Sequence, residues 1–307
     1  MQSLWMLFAS FVFAIMGVCV KLASSLYSTS EIVMYRGLVG AAFLFILIKL
    51  QGGTFKTAFP WAHLWRGVVG VTALWLWFYA IGKLPLPAAM TLNYMAPVWI
   101  AAILFTVGLL RHEKRFELGL TAAIATSFIG VTMLLRPAFQ SDQWFPASVG
   151  LLSGFLSALA YLQVRHLGQL GEPEYRVVFY FSVTVLVAGL LTVLVPGLAD
   201  AVPTVWHAHT PKGLALLTGV GVSAAVAQIA MTRAYRLGKT LVTANLQYTG
   251  IVFSSLWGIV LWNDAFGWNS WIGIAVILVS GMAATVYNAR NATTSIEQET
   301  DPISAEL

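Results

Sequence analysis

Arg36 stands five residues inside a largely uncharged run that opens near Glu31. A cation placed within an apolar run of that kind is costly in a bilayer and is kept for a function. The chemistry it offers is bidentate binding of a carboxylate or phosphate. Two other roles are open to it: snorkelling toward lipid headgroups, or pairing with Glu31 or Glu172 at neighbouring helix mouths. Aromatic and amide side chains could complete a small-molecule pocket. Trp75, Tyr79 and Gly82 fall at i, i+4 and i+7, and Gln228, Met231 and Tyr235 at i, i+3 and i+7, each set on one helical face. Trp and Tyr also form belts at membrane interfaces, a reading that fits Tyr235 near a helix end better than Trp75. Asn93 with Tyr94, and Gln247 with Tyr248, add amides that either line a cavity or bond helix to helix. Pro97, one turn past Asn93, is expected to bend its helix and free carbonyls. Lys21, Glu31 and Arg165, at helix ends, are candidates for gating or for anchoring at the interface.

The missing groups narrow the chemistry further. None of the acidic residues lies in the middle of an apolar run, so a buried carboxylate relay for proton coupling is not expected. His63, His112, His166, His207 and His209 fall in loops or at run ends, without the spacing of a metal site. The pair His207 and His209 reads as a solvated loop. Cys19 is the sole cysteine, which excludes an internal disulfide. No base flanks a nucleophile, so neither an enzyme nor a cofactor or metal is expected.

These residues need a scaffold, and composition identifies its solvent. Apolar residues make up 59% of the chain and charged residues 9%, which marks a membrane protein. Ten runs approach the ~20 residues that cross a bilayer as a helix. They cover about 4–22, 31–50, 66–83, 88–110, 117–135, 148–166, 177–195, 213–235, 240–262 and 268–287. Continuous apolar runs, rather than alternation, mean helices and not a barrel. The first run lacks the basic flank of a signal peptide and reads as a retained helix.

The runs form two copies of one unit. Tyr79-x-x-Gly82-Lys83 recurs as Tyr235-x-x-Gly238-Lys239, and Leu92-Asn93-Tyr94 recurs as Leu246-Gln247-Tyr248. Phe11 to Lys21 overlies Phe155 to Arg165 at an offset of 144, and Glu113 and Gly130 overlie Asp264 and Gly281 at 151. The expected units are residues 1–146 and 147–287, with 288–307 an unstructured cytoplasmic tail. Five spans per unit is odd, so the second copy must cross in the reverse sense, as in many transporters. Twelve of the seventeen Lys and Arg fall on the side of the N-terminus, which places both termini in the cytoplasm. The net charge of +5 is mostly that asymmetry and gives no reason to invoke nucleic acid. Small-residue stripes, Ala122, Thr126 and Gly130 with Gly273 and Gly281, serve close helix packing within one chain or between two, so monomer and homodimer both stay open.

Tyr35-Arg36-Gly37 in the second run, Pro97 in the fourth, the acidic Glu113 and Asp264, and the ten-run order together resemble the EamA family of the drug/metabolite transporter superfamily. The resemblance covers residues 4–287. It implies an all-α bundle of ten transmembrane helices in two inverted repeats, with the first, third, fourth, sixth, eighth and ninth around a central cavity and the fifth and tenth at the periphery. Ile251 replaces the proline in the second copy, and Asp264 stands where Glu is commoner. The expected function is an inner-membrane carrier for a small organic metabolite, most simply an exporter of amino acids working by alternating access. Uptake of a vitamin or nucleoside-like metabolite is the nearest rival, and a membrane-embedded enzyme or sensor is the rival of another class.

Overall fold

The structure is a computed structural model that describes residues 2–84, 91–110, 118–135, 143–194, 207–263 and 267–300. Pro85, Pro87, Glu113, Glu117 and Asp264 lie outside them. Among the described residues the chain is helical, with no strand. A 3₁₀ turn leads into α1 (Trp5–Ala23), followed by α2 (Thr29–Leu50), α3 (Pro60–Lys83), α4 (Ala96–Leu110) and α5 (Leu118–Leu135). Then come α6 (Trp144–Gln169), α7 (Glu174–Leu194), α8 (Pro211–Leu237), the short α9 (Thr240–Leu246), α10 (Thr249–Trp262) and α11 (Trp268–Thr300). Among the described residues, six segments are long and apolar enough to cross a membrane: Gln2–Ala23, Ser30–Leu50, Thr91–Gly108, Trp144–Gln169, Glu174–Leu194 and Pro211–Leu237. Leu118–Met133 and Trp268–Ala284 are shorter apolar helices. Large apolar side chains such as Phe8, Phe45, Leu152, Leu191, Val260 and Met282 stay exposed, which suits a surface solvated by lipid.

Local chemistry sets the helix ends. Ser28 and Glu31 form a capping box that opens α2: Glu31 Oε2 accepts from the Ser28 amide at 2.8 Å, and Ser28 Oγ from the Glu31 amide at 3.3 Å. Proline at the first position starts α3 and α8, and Thr210 Oγ1 caps α8 by accepting from the Gly213 amide at 3.0 Å. Gly171, at φ +84°, turns the chain from α6 into α7. Two boundaries differ from the sequence reading. α3 starts at Pro60 rather than 66, because the Phe59-Pro60 start signal overrides the polar residues behind it. α11 continues to Thr300, through the stretch from Asn288 expected to be unstructured.

The helices pair in a pattern that survives exchange of the two halves of the chain. α1 packs on α8 and α3 on α6; α2 packs on α3's counterpart α8, and α7 on α3; α1 packs on α10 and α4 on α6. α2 with α7, and α5 with α11, each map onto themselves. Counterparts run in opposite directions. Positions 34, 37, 40 and 53 beside α2 meet 189, 186, 182 and 175 beside α7. Gly119 and Gly130 of α5 meet Tyr287 and Gly273 of α11, where the small-residue stripes pack within one chain and Ser280 Oγ donates to the Ala123 carbonyl at 2.6 Å. The α2–α7 crossing is close because a glycine sits on each side. A Cβ on Gly37 would strike the Leu186 backbone, and one on Gly189 would lie 2.7 Å from Met34 Cα.

Each end of the bundle is tied by a carboxylate gripping the other half. Glu31 accepts from the His207 amide at 3.0 Å and lies 2.8 Å from His207 Nδ1. His209 bridges the hydroxyls of Tyr27 and Tyr35 at 3.2 and 2.8 Å. The two histidines lie in an exposed loop, as expected, and are also anchored by Glu31 and Tyr35 of α2 and by Tyr27 in the α1–α2 connection. At the other end Glu172 accepts from Thr57 Oγ1 at 2.7 Å and Arg176 Nη1 at 3.0 Å, with His63 Nε2 at 3.2 Å. Burial alone would push the Glu172 carboxyl up, but Thr57, Arg176 and His63 outweigh it and hold it below the usual carboxylate range.

Two outcomes follow. Gly37→Ala, by forcing α2 from α7, lowers stability by about 1–3 kcal/mol, read as a drop in the detergent melting temperature. Glu172→Gln costs about 1.5–3 kcal/mol above the ordinary carboxylate pKa, where the wild-type group is ionised in both states. Because the folded pKa is the lower one, the stabilisation is lost as pH falls through it, so the wild-type and mutant melting temperatures converge in acid.

Candidate functional site

Polar side chains gather where two helices are interrupted. The helical turn at 91–93 stops before Tyr94 and Met95, and α4 restarts at Ala96. α9 stops at Leu246, and α10 restarts at Thr249. Both breaks fall on the repeated Leu-Asn/Gln-Tyr triplet. Bonds tighten to the i→i−3 type there: Met95 to Leu92 at 3.3 Å, and Tyr248 to Asn245 at 3.2 Å. Pro97 sits in the first turn of α4 and, lacking an amide, leaves the Asn93 carbonyl one turn earlier without an intrahelical donor, where the helix is interrupted. The second break forms with Ile251 at the proline position, so proline is not its cause.

Around the second break the side chains form one network. Gln247 Nε2 donates to the Tyr161 hydroxyl at 3.2 Å, and Tyr235 donates to Gln247 Oε1 at 3.4 Å. The rings of Tyr161 and Tyr235 stack at 5.6 Å. Tyr248 is fully buried beside them and its hydroxyl has no hydrogen-bond partner. Met231 is buried in the same core, and Gln228 is buried two turns from Tyr235. At the first break, Asn93 Nδ2 donates to Ser153 Oγ of α6 at 3.1 Å, the helix-to-helix bond open to it from sequence. The Tyr94 hydroxyl points toward Gly250 on α10.

Arg36 reaches into this interior. Its guanidinium carbon lies 5.7 Å from the ring centroid of Phe181 on α7, a cation–π contact. Neither carboxylate it could have paired with is free, since Glu31 is held by Ser28 and His207 and Glu172 by Thr57, Arg176 and His63. Trp75 packs in the same cluster as Phe181, with Val33, Val71 and Val185.

Other expected residues stand apart from this centre. Tyr79 is 42% exposed and lies edge-on to Phe145 at 6.3 Å. Lys21 Nζ lies 3.8 Å from the Trp262 ring, tying the end of α1 to the end of α10. Arg165 is half-buried near the end of α6.

Sequence reasoning missed Arg66, Tyr161 and Phe181. Arg66 reads as one more basic residue at the rim of the third run, yet it is only 3% exposed, with its guanidinium carbon 4.0 Å from the Phe181 centroid. The signal was Pro60, which starts α3 early enough to carry Arg66 well inside. Tyr161 lies within electrostatic reach of both arginines. Among the described residues the ion pairs join His63 and Arg176 to Glu172, His207 to Glu31, and Arg236 to Glu174, and include neither Arg36 nor Arg66.

The bundle is not symmetric about this centre. α6 and α7 pack against α8, whereas their counterparts α1 and α2 make at most slight contact with α3 among the described residues. One end is drawn together by the Tyr161–Tyr235 stack, by Gly168 against Arg236, and by Arg236 Nη1 bonding Glu174 Oε1 at 3.2 Å. At the offset of 144, Tyr161 corresponds to Gly17, and the repeated motif makes Tyr235 the counterpart of Tyr79. A Cβ on Gly17 would meet nothing within 4 Å, and Tyr79 is exposed.

Known proteins share this arrangement and its sequence. The EamA-like transporter family model matches residues 1–136. The pseudopaline exporter of Pseudomonas aeruginosa is 31% identical over 261 residues, 83% of this chain and 86% of that protein. A riboflavin transporter of Rhizobium johnstonii is 26% identical over 294 residues, 94% of this chain and 91% of that protein. A crystal structure 17% identical in sequence superposes with a TM-score of 0.76 over 93% of this chain and 98% of its own, which establishes the shared fold. The relatives are transporters and not enzymes. With an apolar helical bundle interrupted at its polar centre and these relatives along most of its length, the chain belongs to the EamA-like transporter family and is a multi-pass membrane protein.

Proposed function

We propose that this chain is a secondary transporter of the inner membrane that exports a small organic acid, an amino acid or a related compound, by alternating access. The observation that carries the reading is Arg36, whose guanidinium lies over Phe181 with no carboxylate paired to it among the described residues. A substrate carboxylate is its natural partner, and Trp75, Tyr94, Gln247 and Tyr248 supply aromatic and amide surface around it. The units are residues 1–146 and 147–287, inverted relative to one another. Exchangeable helix pairings and antiparallel counterparts support this. The excess of basic residues puts both termini in the cytoplasm, so the end drawn together at Tyr161 and Tyr235 is cytoplasmic and the Gly17–Tyr79 end faces outward. The pseudopaline exporter favours export. Likeness to a riboflavin transporter favours a second reading, uptake of a vitamin-like molecule through the same cavity.

Arg36→Ala should slow efflux of preloaded aromatic amino acids from proteoliposomes by roughly 30-fold or more, from ~2 kcal/mol or more of lost charge pairing. Unchanged flux would reject the clamp. In the opposite state Tyr79 should close over Gly17 as Tyr235 closes on Tyr161. With Cys19 replaced by Ala, Gly17→Cys and Tyr79→Cys should therefore cross-link in the inward-facing state and stop transport until reduced. Cross-linking that leaves transport intact would reject this gate.

A further inference from the structure

Arg66 is a further cation beside Phe181 that the single-carboxylate reading does not use. It is 3% exposed, and its Nε and Nη1 are buried without hydrogen-bond partners among the described residues. Its guanidinium turns along its own helix to lie against Gly70, where a Cβ would clash with Nη1, and reaches the Phe181 ring at 4.0 Å. Arg36 reaches the same ring at 5.7 Å. The two guanidinium carbons are therefore no further apart than the sum of those distances, which a few carbons between two carboxylates can span. Other groups facing them supply no negative charge: Phe181 and Thr184 come from α7, Tyr161 from α6 and Trp75 from α3. The carboxylates at the helix mouths are engaged elsewhere, Glu31 by Ser28 and His207 and Glu172 by Thr57, Arg176 and His63.

Two cations close to one another, Arg66 buried and Arg36 partly buried, that among the described residues are paired with no carboxylate are doubly unfavourable, by desolvation and by mutual repulsion. The protein retains both. We propose that the site takes a substrate with two anionic groups, a dicarboxylate or an equivalent dianion, with Arg36 binding one group and Arg66 the other. A monoanion neutralises one guanidinium and leaves the second unpaired, whereas a dianion relieves both. The proposal rests on the transporter reading above and sharpens its substrate class.

Isothermal titration of the purified protein in detergent tests this with matched pairs that differ by one negative charge. Suitable pairs are glutarate and valerate, L-glutamate and L-glutamine, and N-succinyl- and N-acetyl-L-phenylalanine. In the wild type, the dianionic member of at least one pair should bind about tenfold tighter or more, ~1.4 kcal/mol. Arg66→Met should bring that ratio to about twofold or less, and Arg66→Lys, which keeps the charge, should retain most of it. The lysine variant and a monodisperse elution profile separate loss of charge from failure to fold. A wild-type ratio near one in every pair, a ratio that survives Arg66→Met, or no binding of any of these ligands overturns the proposal. The Arg36 reading fails separately: Arg36→Met should weaken both members of each pair, and if it does so without a dianion preference in the wild type, the clamp stands and the second anionic position does not.

Discussion

Inside a bilayer every backbone amide and carbonyl must find a partner within the protein, and an unbroken helix is the simplest way to provide one. The chain departs from that solution at two places, residues 94–95 and 247–248. Both departures are sheltered. The carbonyls of Leu92 and Asn93 lie against Gly154, the Asn93 side chain bonds to α6, and Thr249 Oγ1 donates to the Leu246 carbonyl at 2.6 Å. Irregular backbone at this depth is tolerated only where protein or a cavity surrounds it. The interruptions therefore locate the polar interior of the bundle, and Tyr161, Tyr235, Gln247 and Tyr248 cluster there for that reason.

The same constraint explains how charge is distributed. Carboxylates at the helix mouths are committed to binding one half of the chain to the other, through His207 at one end and Thr57, Arg176 and His63 at the other. Among the described residues none pairs with the two arginines over Phe181, so guanidinium groups and aromatic rings lie between ends that carry the compensated pairs.

Much of this was legible in the sequence, because lipid imposes long apolar runs and because duplication leaves repeated words. Tyr-x-x-Gly-Lys marked Tyr235, which stacks on Tyr161, and Tyr79, which is exposed; Leu-Asn/Gln-Tyr marked both helix breaks. Arg36 was legible as an isolated cation well within a run. Arg66 was not, since hydropathy places the start of α3 at the arginine itself, and only the proline before it shows that the helix begins earlier. Pro97 marked the first break, because a proline withdraws the amide that the Asn93 carbonyl one turn earlier would need; the second break carried no such sign, since it forms without a proline. Tyr161 and Phe181 carry no local signal, because their importance comes from what α2, α3 and α9 bring against them.

The contact between α2 and α7 carries a mechanical consequence. Backbone meets backbone there through Gly37 and Gly189, with no flexible side chain between to absorb a displacement. The pair maps onto itself when the halves are exchanged, and a shift of either helix is passed to the other directly through the main chain, so the two must move as one body.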